Sequence, residues 1–199
     1  MSSVVVKLGG SILFSQGGIQ RFMRWWKSRP ETSCAMIVGG GETVESMRLL
    51  NDYYPFEQVA MHWRCIRLMD ATFECMAECL PECTAIAHES EFADLSSEMQ
   101  TWEDSAKNVA ENCKRLWLVR VGAFHHPESN DDLPKGWSVT SDSLAWVLAK
   151  KLSIQRICLL KSCVIPASTS WTELASLGII DECFPTICDD SIAVEVCSI

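Results

Sequence analysis

VVVKLGGSIL, residues 4–13, is the stretch that decides the fold of this chain. Its run of β-branched residues favours a buried strand, and Gly9 and Gly10 favour a tight turn directly after it. Lys7 lies only two residues before that turn. A buried strand does not need a long cationic side chain for packing, so packing alone does not explain Lys7.

The residues after this turn predict a helix and then a second strand. Ile19, Phe22 and Trp26 share one helical face, and this helix must end before Pro30. The next strand is CAMIV, residues 34–38, and it runs into GGG, residues 39–41. A strand, a helix and a strand within about 35 residues form a right-handed βαβ unit, which predicts a mainly parallel sheet covered by helices.

The rest of the chain continues this alternation. Apolar spacings of three and four predict one long helix over residues 55–80, starting near Pro55. We predict further strands in TAIA (84–87), RLWLVRVGAF (115–124), RICLLKS (156–162) and IAVEV (192–196), and helices in the middle of 89–112, within 137–152 and over 171–177. The length of 199 residues predicts a single domain, residues 1–199.

Composition bounds the partners of the protein. The net charge of -9 repels phosphate backbones and anionic membrane surfaces, so we expect no nucleic acid and no membrane partner. No apolar run approaches the roughly 18 residues of a membrane span. No secretory signal pattern is present, so we expect a cytoplasmic protein whose 11 cysteines are reduced and act as small hydrophobes.

The Gly-Gly-Ser turn predicts a site for an anion. Between a parallel strand and a helix, Gly9, Gly10 and Ser11 present backbone N–H groups where the helix dipole also favours negative charge. Lys7 adds a positive charge beside them, a combination that suits phosphoryl transfer. A tight turn beside a snorkelling lysine explains the motif equally well. A dehydrogenase-like dinucleotide site is a third interpretation, against which the missing G-x-G-x-x-G spacing argues.

Taken together, the motifs resemble those of the amino acid kinase family, which includes carbamate kinase and uridylate kinase. The motifs are VVVKLGGSIL (4–13), MIVGGGE (36–42), VTSDSLAWVLAKKL (139–152) and ICLLKS (157–162). AMHWRCIRLMD (60–70) and GIIDECFP (178–185) are similar to a small branch that includes the kinase of methanofuran biosynthesis, which phosphorylates an aminomethylfuran phosphate. The resemblance implies a three-layer αβα sandwich with the carbamate kinase-like fold.

The resemblance also implies an ATP-dependent kinase that uses Mg²⁺ and a small anionic acceptor. Lys7 would contact the phosphoryl group while it is transferred. Asp142 and Lys161 would be the other catalytic residues, and Asp142 would orient the two lysines. The other implied site residues are Gly9, Gly10, Ser11 and Ser141 for phosphate or nucleotide, and Gly39, Gly40, Gly41 and His62 for the acceptor. Taken by itself, Asp142 is better explained as an acidic residue that stabilises the first turn of a helix.

Some residues leave alternatives open. Lys161 precedes SCVIP, residues 162–166, which lacks the Asp-x-x-Gly turn found there in many relatives. The alternative function is therefore a degenerate kinase-like fold that binds an anion or a partner without turnover. His62 fits either a substrate contact or a buried histidine satisfied by a carbonyl.

No metal site is predicted from the protein's own side chains. Cys75, Cys79 and Cys83 have the spacing of one helix face rather than of a paired zinc motif. His125 and His126 begin a stretch rich in Pro, Asn and Asp, so we expect them in a solvated loop. The long helix and the eight Trp residues predict a homo-oligomer.

Overall fold

The computed structural model describes residues 3–106, 114–167 and 169–199. Within them, six parallel strands form one sheet in the order β3-β4-β2-β1-β5-β6. The strands are β1 (Ser3–Leu8), β2 (Ser33–Val38), β3 (Thr84–Ile86), β4 (Arg115–Val119), β5 (Arg156–Lys161) and β6 (Ala193–Ser198). The expected parallel sheet is confirmed.

Helices connect these strands. They are α1 (Gly10–Leu13), α2 (Gly18–Ser28), α3 (Glu42–Tyr53), α4 (Gln58–Cys79), α5 (Glu89–Ala106), α6 (Ser141–Leu152), α7 (Trp171–Ser176) and α8 (Phe184–Ile187). A short 3₁₀ helix, Val121–Ala123, follows β4. Among the described residues, none of these helices combines the length and apolarity needed to cross a bilayer.

Three element boundaries differ from the sequence prediction or are only partly described. The long helix starts at Gln58 rather than near Pro55, because Glu57 caps it by accepting hydrogen bonds from the N–H groups of Val59 and Ala60 at 2.9 and 2.6 Å. The strand predicted over 115–124 ends at Val119, where the chain turns into the 3₁₀ helix. The helix predicted within 89–112 is confirmed as α5, and residues 107–112 lie outside the described residues.

The alternation of side chains along the strands produces three layers. Val5 packs with α6 and the first half of α4 on one face of the sheet, whereas Val6 packs with α2 and the second half of α4 on the other. Lys7 follows Val5 at a spacing of two, so Lys7 emerges on the α6 face. The protein is therefore an αβα sandwich, and its central strand delivers a lysine toward α6.

The strand order brings two glycine turns and a second lysine to one edge of the sheet. β1 lies between β2 and β5, and Leu8 pairs with both Val38 and Leu160. The chain segments that follow these residues therefore leave the sheet at the same level. Gly39 N–H donates to Leu8 O at 3.0 Å, and Gly9 N–H donates to Leu160 O at 3.1 Å. Ligand sites of open α/β sheets lie at this carboxyl edge.

Candidate active site

A cleft of about 800 Å³ opens at the carboxyl edge of the sheet. Its walls come from the turns after β1, β2 and β5, from the start of α6, and from the segment between α7 and α8. The sequence-predicted residues that line it are Lys7, Gly9, Gly10, Ser11, Gly39, Gly40, Gly41, Ser141, Asp142 and Lys161. Further lining residues used below are Arg48, Trp137, Thr140, Ser162 and Asp181.

A second cavity, of about 920 Å³, lies at the opposite edge of the sheet. Its ionic side chains are engaged in structural contacts: Arg156 donates to Glu31 at 3.0 Å, and Glu103 accepts from Ser33 at 2.9 Å. We place the candidate site at the carboxyl edge, because the buried side chains of Lys7, Asp142, Lys161 and Asp181 line the cleft there.

The floor of the cleft is a carboxylate shared by two lysines. Asp142 Oδ1 lies 3.0 Å from Lys7 Nζ, and Lys161 Nζ donates to both oxygens of Asp142 at 2.9 and 2.7 Å. The exposed fractions of Lys7, Asp142 and Lys161 are 6%, 2% and 9%. Charges this deeply buried need partners, and the three residues supply them to one another.

The pKa values reflect this crowding. Burial raises the pKa of Asp142, but the charges of Lys7 and Lys161 outweigh burial and lower it to about 2. Burial and the neighbouring charge of Lys7 lower the pKa of Lys161 to about 8, although Asp142 opposes them. For Lys7 the attraction of Asp142 and Asp181 outweighs burial and raises the pKa above its usual value. Both lysines are therefore mainly charged at pH 7.

Asp181 completes the charged cluster, and the sequence analysis did not single it out as a site residue. It is 7% exposed and accepts hydrogen bonds from the N–H groups of Thr140 and Ser143, each at 2.8 Å, and from the Thr140 hydroxyl. Burial and the Asp142 charge raise the pKa of Asp181 to about 6. The only available signal was an aspartate inside the apolar stretch GIIDECFP.

The glycines allow the two turns to touch. A Cβ at Gly10 would lie 2.2 Å from Gly41 Cα, a distance that real structures do not show. Gly41 itself has φ of 54°, a backbone conformation that favours glycine. The turn after β1 and the turn after β2 are therefore in backbone contact, and any side chain at Gly10 would push them apart.

The remaining predicted phosphate-binding residues lie beside this contact. Ser11 Oγ and Ser162 Oγ are hydrogen bonded at 2.7 Å, which joins the turn after β1 to the end of β5. Ser141 is the first residue of α6, and a Cβ at Gly39 would lie 3.0 Å from its Oγ. The starts of α1 and α6 both lie beside the cleft, and at α6 the Ser143 N–H is already bound by Asp181.

His62 and His125 are both buried outside the lining of the cleft. His62 is not among the residues that line the cleft; it borders a separate space of about 20 Å³ behind Trp137. The prediction that His125 lies in a solvated loop is wrong, because its side chain is fully buried. The Nε2 atom of His125 lies 2.9 Å from the Nε2 atom of His62. His126, in contrast, is partly exposed beside Glu128.

The donor set of the cleft suits a chain of phosphates. Two ammonium groups and the backbone N–H groups of glycine turns match phosphate oxygens, and the glycines leave space that side chains would fill. Within residues 3–106, 114–167 and 169–199, no group of three or more His, Cys, Asp or Glu side chains is arranged to hold a metal ion.

Comparison with known proteins extends the assignment of the fold. No family model matches the chain, and no curated protein matches it. A uridylate kinase from Archaeoglobus fulgidus is 16% identical, with a TM-score of 0.61 over 100% of this chain and 91% of that one. A UMP kinase from Ureaplasma parvum is 10% identical, with a TM-score of 0.60 over 100% of this chain and 90% of that one.

Identities this low carry information about the fold. Both neighbours are uridylate kinases, and they match the whole length of this chain. The fold implied by the sequence resemblance is confirmed. The chain has the amino acid kinase fold, an αβα sandwich on an all-parallel sheet.

Proposed function

We propose that the protein is an ATP-dependent phosphotransferase acting on a small anionic acceptor. The observation that supports this most directly is the pair of buried lysines held by Asp142 beside two touching glycine turns. Phosphoryl transfer needs little covalent participation from the protein. It needs two phosphate groups held in line and charge stabilisation on the group passing between them.

The residues divide this task by position. Bound Mg-ATP would supply the phosphoryl group. Lys7 and Lys161 would stabilise the negative charge that develops as the bond to the leaving oxygen breaks and the bond to the acceptor oxygen forms. Asp142 holds both ammonium groups in place, and its low pKa keeps it ionised, so it orients the lysines rather than acting as a base.

The glycine turns would hold the two reacting ends. Gly9, Gly10 and Ser11 would bind donor phosphate oxygens together with Ser141. Gly39, Gly40 and Gly41 would frame the acceptor. His62, which lies behind the wall of the cleft, would act on the acceptor only through the residues between them.

We propose a phosphate monoester as the acceptor, converted to a diphosphate. The resemblance of residues 60–70 and 178–185 to the methanofuran branch supports an aminomethylfuran phosphate. The printed names of both solved neighbours identify them as kinases of UMP, which is also a phosphate monoester. An acceptor of this kind would be met in the cytoplasm, the location predicted from the sequence.

The second candidate function is binding without turnover. It is favoured by SCVIP, residues 162–166, which replaces the turn that many kinases of this fold place near the nucleotide. In that case the lysine pair would still bind an anion, but no phosphoryl group would be transferred from ATP to an acceptor.

ADP release with and without an aminomethylfuran phosphate separates the two functions. We expect acceptor-dependent ADP release, and we expect Lys7→Ala to reduce it by about 100-fold or more because a charge-stabilising donor is lost. The fold should persist in this variant, since Asp142 keeps two hydrogen bonds from Lys161. Lys27→Ala, on the exposed end of α2, is the matched control.

Two results would count against the proposal. Anion binding with no acceptor-dependent ADP release by the unmodified protein would favour the second function. Near-normal turnover in the Lys7→Ala variant would show that Lys7 does not have its assigned role.

A further inference from the structure

Behind the acceptor side of the cleft lies a chain of buried polar groups. Asp131 Oδ2 lies 2.7 Å from His125 Nδ1, and His125 Nε2 lies 2.9 Å from His62 Nε2. At the far end, His62 Nδ1 faces the carbonyl oxygen of Gly136 at 3.5 Å. His62 and His125 are 4% and 0% exposed, so bulk solvent has little access to these contacts.

The first contact in the chain sets the proton positions of both histidines. Burial opposes ionisation of Asp131, but hydrogen bonds from Lys135 and Ser129 outweigh it and keep the pKa of Asp131 well below its usual range. An ionised carboxylate only accepts, so His125 must carry its proton on Nδ1. If neutral, His125 then accepts at Nε2, and His62 must donate from its own Nε2.

The two neutral histidines then have one N–H group too few to make every contact in the chain a hydrogen bond. Two neutral imidazoles carry two N–H groups, whereas the chain from Asp131 to Gly136 contains three contacts. The last contact therefore brings the lone pair of His62 Nδ1 against a carbonyl oxygen, which is not a hydrogen bond. One more proton, taken from solvent onto His62 Nδ1, would form an N–H bond there and complete the chain with a donor to Gly136 O.

Gly136 leads directly into the wall of the cleft. Trp137 lines the cleft, and the guanidinium of Arg48 lies 5.0 Å from the centre of its ring. Thr140, which follows, is the N-cap of α6 and precedes Ser141 and Asp142. A hydrogen bond that holds Gly136 therefore acts on the segment that carries both the aromatic wall and the start of α6.

We propose that His62 and His125 are positioning residues, which fix the Gly136–Trp137 wall of the cleft when the histidine chain takes up one proton. This role rests on the proposed function, because the wall it fixes is that of the phosphotransferase cleft. An anion in the cleft favours the protonated histidine pair, because the positive charge of that pair behind the wall attracts the anion. By linkage, protonation must then tighten the binding of that anion.

Neighbouring charges act on the chain in both directions. Burial lowers the pKa of His62 below its usual value and that of His125 to about 4, with Lys135 acting in the same direction and Asp131 opposing. Arg48 lies against the ring of Trp137, and the partly exposed His126 pairs with Glu128 and Glu89. We therefore expect both histidines to be neutral at pH 7.5 without a ligand, and the pair to gain one proton as the pH falls or as an anion binds.

Nitrogen-15 NMR of the unmodified protein tests the proton positions directly. The whole protein has only four histidines, so few ring signals need to be assigned. We expect neutral rings at pH 7.5, with the proton on Nδ1 in His125 and on Nε2 in His62. As the pH is lowered, the Trp137 indole signal should move together with the protonation of His62. An Nε2-protonated His125, or a Trp137 signal that does not follow His62, would overturn the proposal.

Binding of tripolyphosphate tests the link to the cleft. We compare His62→Gln, which cannot take up the proton, with His88→Gln, a matched change at an exposed histidine outside the chain. When the pH is lowered from 7.5 to 6.0, the dissociation constant of His62→Gln divided by that of His88→Gln should rise by about fivefold. This is an ordinary size for a coupling between two sites. Because the titration of the ligand is common to both variants, it cancels in this ratio. An unchanged ratio would overturn the proposal.

The two tests also separate this inference from the proposed function. If neither the unmodified protein nor a variant binds tripolyphosphate, the phosphate site is wrong, while the NMR result still decides the histidine chain. If His62→Gln proves too unstable to compare, the NMR measurement on the unmodified protein stands alone.

Discussion

The charge of individual residues sets the chemistry of the cleft. Lys7 and Lys161 share one carboxylate in a site with little access to water, so adding the second positive charge is unfavourable. Burial and the charge of Lys7 therefore lower the pKa of Lys161 to about 8. A kinase that needs both charges should therefore lose activity at a pH where ordinary lysines are still protonated.

We predict that the turnover rate falls above about pH 8 as Lys161 loses its proton. The effect on stability has the opposite sign. Between about pH 8 and the ordinary lysine value of 10.5, the unfolded chain holds the proton that folded Lys161 has lost, so this residue makes the free energy of unfolding rise with pH. A pH–rate profile of acceptor-dependent ADP release checks the first prediction.

Lys161→Arg is the informative variant for that profile, since arginine stays charged throughout the range. Its overall rate will be lower because its planar fork differs in shape from an ammonium, but the decline near pH 8 should disappear. A decline at the same pH in Lys161→Arg would assign the titration to another group.

At the scale of elements, α6 depends on a residue outside its own segment. Its N-cap, Thr140, makes no capping hydrogen bond with its own side chain, and Asp181 accepts from the N–H groups of Thr140 and Ser143 instead. The segment between α7 and α8 is thereby tied to the helix that carries Asp142. Loss of Asp181 leaves buried N–H groups without partners, at about 1–3 kcal/mol each.

We predict that Asp181 makes stability fall as the pH rises from about 4 to 6. The pKa of Asp181 is about 6 in the folded protein and 3.8 for an ordinary aspartate, so in this window the folded protein holds a proton that the unfolded chain has lost. Asp181→Asn should remove this contribution. Urea denaturation at several pH values measures it, with Asp190→Asn, on the exposed end of the α8–β6 connection, as the control. An unchanged pH dependence in Asp181→Asn would contradict the assignment.

At the scale of the whole molecule, exposed apolar side chains remain near the start of the long helix, the element that the sequence links to a homo-oligomer. The long helix α4 buries its apolar residues, among them Ile66 and Phe73, against the two faces of the sheet. Several of the large exposed apolar side chains cluster where α3 ends and α4 begins. They are Leu49, Leu50, Tyr53, Tyr54, Phe56 and Val59, with exposed fractions of 40% to 80%.

We predict that this corner is where two copies of the chain associate. A patch of large apolar side chains this close together in sequence is costly to leave in water, and symmetric pairing would cover both patches at once. Light scattering should give a dimer for the unmodified protein and a monomer for Tyr53→Asp, because two like charges would face each other. Val164→Asp, on another exposed apolar side chain, should remain a dimer. A monomeric unmodified protein would refute the prediction.

The sequence predicted the parts of the fold that depend on neighbours along the chain. β-Branched runs that end in glycine identified β1 and β2, and apolar periodicity identified α2 and α4. The same local pattern drew attention to Lys7, because a charge inside a buried strand is conspicuous. Helix ends were less well predicted, as the start of α4 depends on the side chain of Glu57 rather than on apolar spacing.

What the sequence determined by itself is therefore the alternation of strands and helices, and with it a parallel sheet whose glycine turns share one edge. Only the tertiary structure decided that Asp142 lies between Lys7 and Lys161, that Asp181 caps α6, and that His125 is buried against His62. The physical reason is range. Strand and helix periods depend on residues a few positions apart, whereas these contacts join residues up to 135 positions apart, and packing of helices on the sheet brings them together.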